Sequence, residues 1–117
     1  MTGQHVSDRA RAMLDDDGAT SSYRFKATEI IMWINDGIRT IWRNATDSHY
    51  ASDGTLTAYA EITGLTDTLI LDDKYRDAMA HYVASMMLRR KSGEADNMNR
   101  MSAHTASFKA LTGISIK

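Results

Sequence analysis

Residues 29–44 read EIIMWINDGIRTIWRN, the most apolar stretch of the chain, with both tryptophans and a run of isoleucines. Asn35-Asp36-Gly37, a triplet that usually marks a turn, sits in its middle. Whether the segment is a helix or a hairpin decides the fold. Placed at steps of about 100°, Trp33, Gly37, Ile30, Ile41, Ile34, Ile38, Ile31 and Trp42 fall within one arc of roughly 180°. Glu29, Met32, Asn35, Asp36, Arg39, Thr40 and Arg43 share the other side, and only Met32 is out of place there. A strand would put Ile30, Met32 and Ile34 on one face and Ile31 and Trp33 on the other, leaving no polar side. The pattern therefore predicts a helix over 28–44. Asn35 and Asp36 are expected on its wet face and Gly37 on its buried one. A glycine there costs about 1 kcal/mol in propensity, and the expected return is close approach of another helix beside Trp33 and Ile41. So wide a stripe predicts a central helix with more than one neighbour.

Outward from this helix, the spacing of Val6, Ala10, Met13 and Leu14 predicts a short helix over 5–14, with Ser7 as N-cap and Asp8 near its positive end. Asp15-Asp16-Asp17-Gly18 ends it, and 19–25 read as loop. Residues 45–72 are rich in Thr, Ser, Asp and Gly, with β-prone runs at 56–62 and 68–71. Gly64 between them predicts a small hairpin within a long excursion, and connections of such length often carry function. A third helix is expected over 73–92, with Tyr75, Met79, Tyr82, Val83 and Met86 as its stripe. Leu88 falls about 160° from that stripe, beside Ala84 and His81, and reads as a second apolar contact on the outer face. Ser92-Gly93 breaks the chain before a fourth helix over 94–112, striped by Met98, Met101, Thr105, Phe108 and Leu111. Gly113 suits a C-cap, and 114–117 form an apolar tail with no partner evident in the sequence. The expected fold is one mainly α domain over 1–117: a four-helix bundle-like body with a hairpin-bearing loop between helices two and three.

The totals limit the chemistry. At 117 residues the chain is one domain by length. It lacks cysteine, which excludes disulfides, thiolate metal sites and thiol catalysis, and it lacks proline, which favours helices. A net charge of −1 gives no phosphate-gripping surface. No run approaches the ~20 apolar residues of a membrane span, and no signal segment opens the chain. A soluble, cytoplasmic product is expected.

No catalytic pattern emerges either. A calcium loop starting at Asp15 would need glycine at its sixth position and glutamate at its twelfth, where this chain has Thr20 and Lys26. No two of His5, His49, His81 and His104 share a helix face at metal-ligand spacing, although His81 approaches His104 if helices three and four pack as a hairpin. Neither a Gly-x-Ser-x-Gly elbow nor a phosphate-cradling loop is present. The reading is of a protein that is not an enzyme and uses no metal or cofactor. The basic cluster Arg89-Arg90-Lys91 suits a helix C-terminus and, alternatively, an acidic partner or passing nucleic acid. The methionines Met79, Met86, Met87, Met98 and Met101 read as core, with a partner-adaptable surface as the alternative.

Taken together, a short first helix, then E-x-x-x-W-I-N-x-G-I-x-x-I-W-R, a Thr/Gly-rich segment, L-D-D-K-Y-R-D-A-M-A-H-Y-V and a last helix ending A-S-F-K-A-L-T-G resemble one known pattern. The chain resembles the small head–tail adaptor (connector) proteins of tailed bacteriophages along nearly its whole length. Members often carry proline after the second helix, where this chain has Asn44-Ala45-Thr46, and no residue roles are carried over for 45–70. The resemblance implies a virion neck protein, assembled in the host cytoplasm, forming a ring, commonly a dodecamer, below the portal. Its partners would be the portal, neighbouring copies and downstream neck or tail proteins. DNA would pass through the channel without sequence-specific binding, and no membrane is involved. A ring needs two different patches per subunit. Leu88, Arg89, Arg90, Ile114 and Ile116 are the candidate contacts, with the 44–71 excursion beside them. The alternatives are another neck or tail-completion protein, or a small helical DNA-binding regulator using Arg39 and Arg43.

Overall fold

The computed structural model describes residues 1–14, 25–51, 53–90 and 95–116. Its four α-helices are α1 (Gly3–Met13), α2 (Ala27–Asn44), α3 (Arg76–Arg90) and α4 (Ala95–Thr112), with short 3-10 turns at Thr46–His49 and Asp73–Tyr75. The fold is mainly α. The acidic run at Asp15–Asp17, most of the 19–25 loop and the Ser92-Gly93 break lie outside the described residues.

The opening triplet breaks nothing. α2 runs unbroken through it, burying Ile30, Trp33, Ile34, Gly37, Ile38 and Ile41. Met32, the residue out of place in the sequence pattern, is 53% exposed. A Cβ on Gly37 would sit 3.0 Å from Met79 Cε and 3.1 Å from both Met79 Sδ and the Tyr82 ring. The glycine thus marks the close approach of α3, as its place on the helix predicts.

α2 touches both α1 and α3, as so wide a stripe predicts, but α3 lies more centrally still. It packs against α1, α2 and α4, and it buries Ala78, Met79, Ala80, Tyr82, Val83, Ala84, Ser85, Met87 and Leu88. A helix buried almost all round shows little amphipathic contrast. Its small residues let three neighbours approach, and alanine and serine leave the faces beside the Tyr75–Met86 stripe unmarked in the sequence. α4 covers the face that carries His81, Ala84 and Leu88. Leu88 is therefore only 3% exposed and belongs to the chain's own core, which corrects its expected place on an outer surface. On α4 itself only Phe108 of the expected stripe is fully buried, stacked obliquely on Tyr82 at 5.5 Å. Met98 and Leu111 are exposed.

α1 starts earlier than its pattern predicts. Thr2 is the N-cap: its Oγ1 accepts from the His5 amide at 3.3 Å while His5 Nδ1 accepts from the Thr2 amide at 3.2 Å, a reciprocal capping box. Ser7, the expected cap, is fully buried and accepts a hydrogen bond from Arg11 Nε at 3.3 Å. Arg11 is itself buried and donates to the Phe25 carbonyl at 2.8 Å, tying α1 to the entry of α2.

Among the described residues the expected hairpin does not form. The run at 68–71 turns instead to the chain's first residues. Leu69 N donates to Met1 O, Gly3 N to Asp67 O and Gln4 N to Leu65 O, with an antiparallel bridge between Thr2 and Thr68. The N-terminal ammonium completes the link at 2.5 Å from the Asp73 carboxylate. Burial of Ile62, Leu69 and Leu71 fastens the segment to the core. The tail is not free either. Past Gly113, which has a φ of 76° suited to glycine, Ile114 is buried at 8% exposure and Ile116 packs partly against the core.

Candidate interaction surfaces

The excursion is built on the outer side of α2. Ala45 ends the helix and Thr46–His49 make one 3-10 turn. That turn lays the His49 ring on Trp42, with centroids 3.9 Å apart and planes inclined by 28°. His49 Nε2 lies 2.9 Å from the Trp42 carbonyl, and Tyr59 packs edge-on against the same indole at 5.5 Å. Lys74 Nζ and the Tyr75 hydroxyl both donate to Asp47, at 2.9 and 3.1 Å, fixing the turn to the entry of α3. Those two hydrogen bonds hold the Asp47 carboxyl below its ordinary range. Burial, reinforced by the anionic Asp47, pushes the Tyr75 hydroxyl up to about 12.

Beyond the aromatic cluster the chain turns back on itself. Thr57 N donates to His49 O and Ala51 N to Thr55 O, with Tyr50 and Leu56 bridged antiparallel. Asp53 stabilises the turn by accepting from the Thr55 amide at 2.9 Å, and the Thr55 side chain first and its amide second lower the Asp53 pKa. The outcome is an apolar tip: Leu56 is 68% exposed and Tyr50 46%. Isolated exposed apolar residues are ordinary, but these two are adjacent on a braced loop.

The returning segment is clamped by Asn35 of α2. The Asn35 side chain donates to Ile62 O and accepts from Ile62 N, both at 2.9 Å. Arg39 spans Asp36 at 3.0 Å and Glu61 at 2.7 Å, and the Tyr59 hydroxyl donates to Glu61 at 2.5 Å. Tyr59 first and Arg39 second depress the Glu61 pKa, and Glu61 in turn raises that of Arg39. Asn35 and Asp36 are thus partly covered and not simply wet. A turn at 63–67 follows, in which Asp67 Oδ2 accepts from Thr63 N, Thr63 Oγ1 and Gly64 N at 2.9–3.0 Å.

A second surface lies at the end of α3 and along α4. A cleft of about 390 Å³ is lined by Arg89, Met101, Thr105, Ala106, Lys109 and Ile116, among others. Of the expected contact residues, Arg89 and Ile116 meet there. Arg90 is exposed but engaged, pairing with Glu29 and lying 5.8 Å over the Phe25 ring. Ile114 and Leu88 are interior.

His81 and His104 do meet, Nδ1 to Nδ1 at 2.9 Å across α3 and α4. One ring must donate and the other accept, so the contact requires at least one neutral imidazole. Burial lowers both pKa values. At His81, Asp77 opposes that shift and Arg9 adds to it, while at His104 the nearby His81 and Arg100 deepen it. Among the described residues no group of three or more His, Asp or Glu is placed to hold a metal ion. A wider hollow of about 600 Å³ beside α1 is lined by His5, Asp8, Arg9, Ala12, Met13 and Arg76. None of the described helices is long and apolar enough to cross a membrane.

No family of known proteins, no curated protein and no solved structure matches this chain.

Proposed function

We propose that this chain is a structural neck protein of a tailed bacteriophage virion. In this reading its copies form a ring below the portal, commonly a dodecamer among the adaptors it resembles, which joins head to tail and continues the DNA channel. The observation that carries the reading is a pair of unlike surfaces on one small helical body. One is the braced apolar tip at Tyr50 and Leu56, and the other is the cleft between Arg89 and Lys109. Subunits of a closed ring meet through two different patches, as a two-fold dimer does not. A portal and downstream neck or tail components would occupy the ends of such a ring.

The regulator alternative is weaker. It needs an exposed basic recognition helix, and Arg39 of α2 is neutralised by both Asp36 and Glu61.

The purified chain mixed with the portal of the same genome should co-elute with it in gel filtration, in a fixed ratio of adaptor to portal subunits. A portal peak that gains no mass at high excess of well-folded chain would overturn the reading.

A further inference from the structure

The two surfaces differ in charge as well as in shape. Between residues 45 and 73 the chain has Asp47, Asp53, Glu61, Asp67, Asp72 and Asp73, and no lysine or arginine. From 86 to 117 it has Arg89, Arg90, Lys91, Arg100, Lys109 and Lys117 against only Glu94 and Asp96. The charge is thus divided along the sequence, although Asp47, Glu61 and Asp73 are paired with Lys74, Arg39 and the N-terminal ammonium, and Arg90 with Glu29.

Within each region the charges fall near apolar groups. At the tip, Asp53 lies in the turn between Tyr50 and Leu56, and all three are exposed. In the cleft, Arg89 and Lys109 border Met101 and Ile116, and among the described residues no carboxylate lines it. The tip is held on α2 through the Trp42–His49 stack and the Asn35 clamp, whereas no residue of α2 or of the excursion lines the cleft. One molecule thus presents an acidic apolar knob and, elsewhere, a basic apolar recess.

We propose that the Tyr50–Leu56 tip of one copy docks in the α3–α4 cleft of a second copy. Leu56 and Tyr50 meet Met101 and Ile116, and Asp53 meets Arg89 and Lys109. This deepens the ring reading above and rests on it for the closed geometry: the contact is head-to-tail, so each docked pair leaves one tip and one cleft free for the next copies. Opposite charge orients the encounter and disfavours tip-to-tip and cleft-to-cleft pairing.

The cysteine-free sequence makes the test clean. Leu56→Cys chains are mixed with Ala106→Cys chains and treated with a short bismaleimide, alone at millimolar concentration and again on the portal. The mixed cross-link should exceed either self-cross-link at least tenfold. Asp53→Lys should reduce it at least tenfold, and Lys109→Glu on the other chain should restore most of the loss. Self-cross-links that match the mixed one, or no cross-link in either setting, would overturn the proposal. A decorated portal without the mixed cross-link leaves the adaptor reading standing and removes this contact. The cross-link with a bare portal does the reverse.

Discussion

The Asn35 side chain satisfies both backbone groups of Ile62, donating to its carbonyl and accepting from its amide at 2.9 Å each. A side-chain amide here does what a neighbouring strand would do, and so an extended segment can lie on a helix without a sheet. The turn-like triplet in α2 thus has two purposes, Asn35 to hold the excursion and Gly37 to admit α3.

Replacing Asn35 by alanine leaves two partly buried backbone groups of Ile62 without that partner, at a cost of about 1–3 kcal/mol. Asn35→Asp keeps the acceptor for the Ile62 amide but turns a carboxylate oxygen towards the Ile62 carbonyl, so its loss should be no smaller. Hydrogen exchange should show the Ile62 amide losing protection in Asn35→Ala, while the amides of α3 keep theirs. Unchanged protection at Ile62 would mean that the clamp is not what holds the segment.

At Gly37 two effects oppose each other. Alanine gains about 1 kcal/mol in helix propensity, but its methyl would lie 3.0–3.1 Å from Met79 and the Tyr82 ring. Overpacking costs about 1–3 kcal/mol, and the ring edge cannot yield as the Met79 end can. Gly37→Ala should be less stable by about 1 kcal/mol in urea unfolding, and Gly37→Val by more. A stabilised alanine variant would show that the helices part freely.

Leu88 and Arg89 are sequence neighbours with opposite fates. Leu88→Ala should cost about 2–5 kcal/mol as a core truncation. Arg89→Glu, on the exposed cleft rim, should leave stability within about 0.5 kcal/mol while weakening assembly. The two variants separate folding from association in a single pair of melts and binding assays.

The histidine pair sets a pH dependence. Both folded-state pKa values lie below the ordinary 6.5, so the folded form favours neutral imidazoles. The contribution to stability is complete above that value. It is lost as the pH falls from 6.5 towards the lowered folded values, because the unfolded chain binds protons first. The melting temperature should drop across this window, and His81→Gln should flatten the drop. An equal slope in the variant would place the titration elsewhere.

The sequence revealed elements better than their pairings. The course of α2 was legible because eight residues share one arc and only Met32 opposes it. The centrality of α3 was hidden because Ala80, Ala84 and Ser85 are buried without being apolar enough to mark a stripe. Leu88 misled for the same reason: a residue off the main stripe reads as outward until a fourth helix covers it. The 68–71 run reads as β-prone, but its partner is the first three residues, which carry no strand signal of their own. Ser7-Asp8 fits a cap pattern and drew attention from Thr2, whose partner is a histidine and not the usual Glu or Gln. Of the candidate contacts, Arg89 and Ile116 share the cleft. The exposed Tyr50 and Leu56 could be placed together only through a turn that no spacing rule specifies.

Low-dose electron microscopy of the chain mixed with the portal of the same genome would show a ring on the portal if one forms. A second ring should stack below the portal, with tips and clefts alternating around it. Well-folded chain at high excess over a bare portal would contradict it.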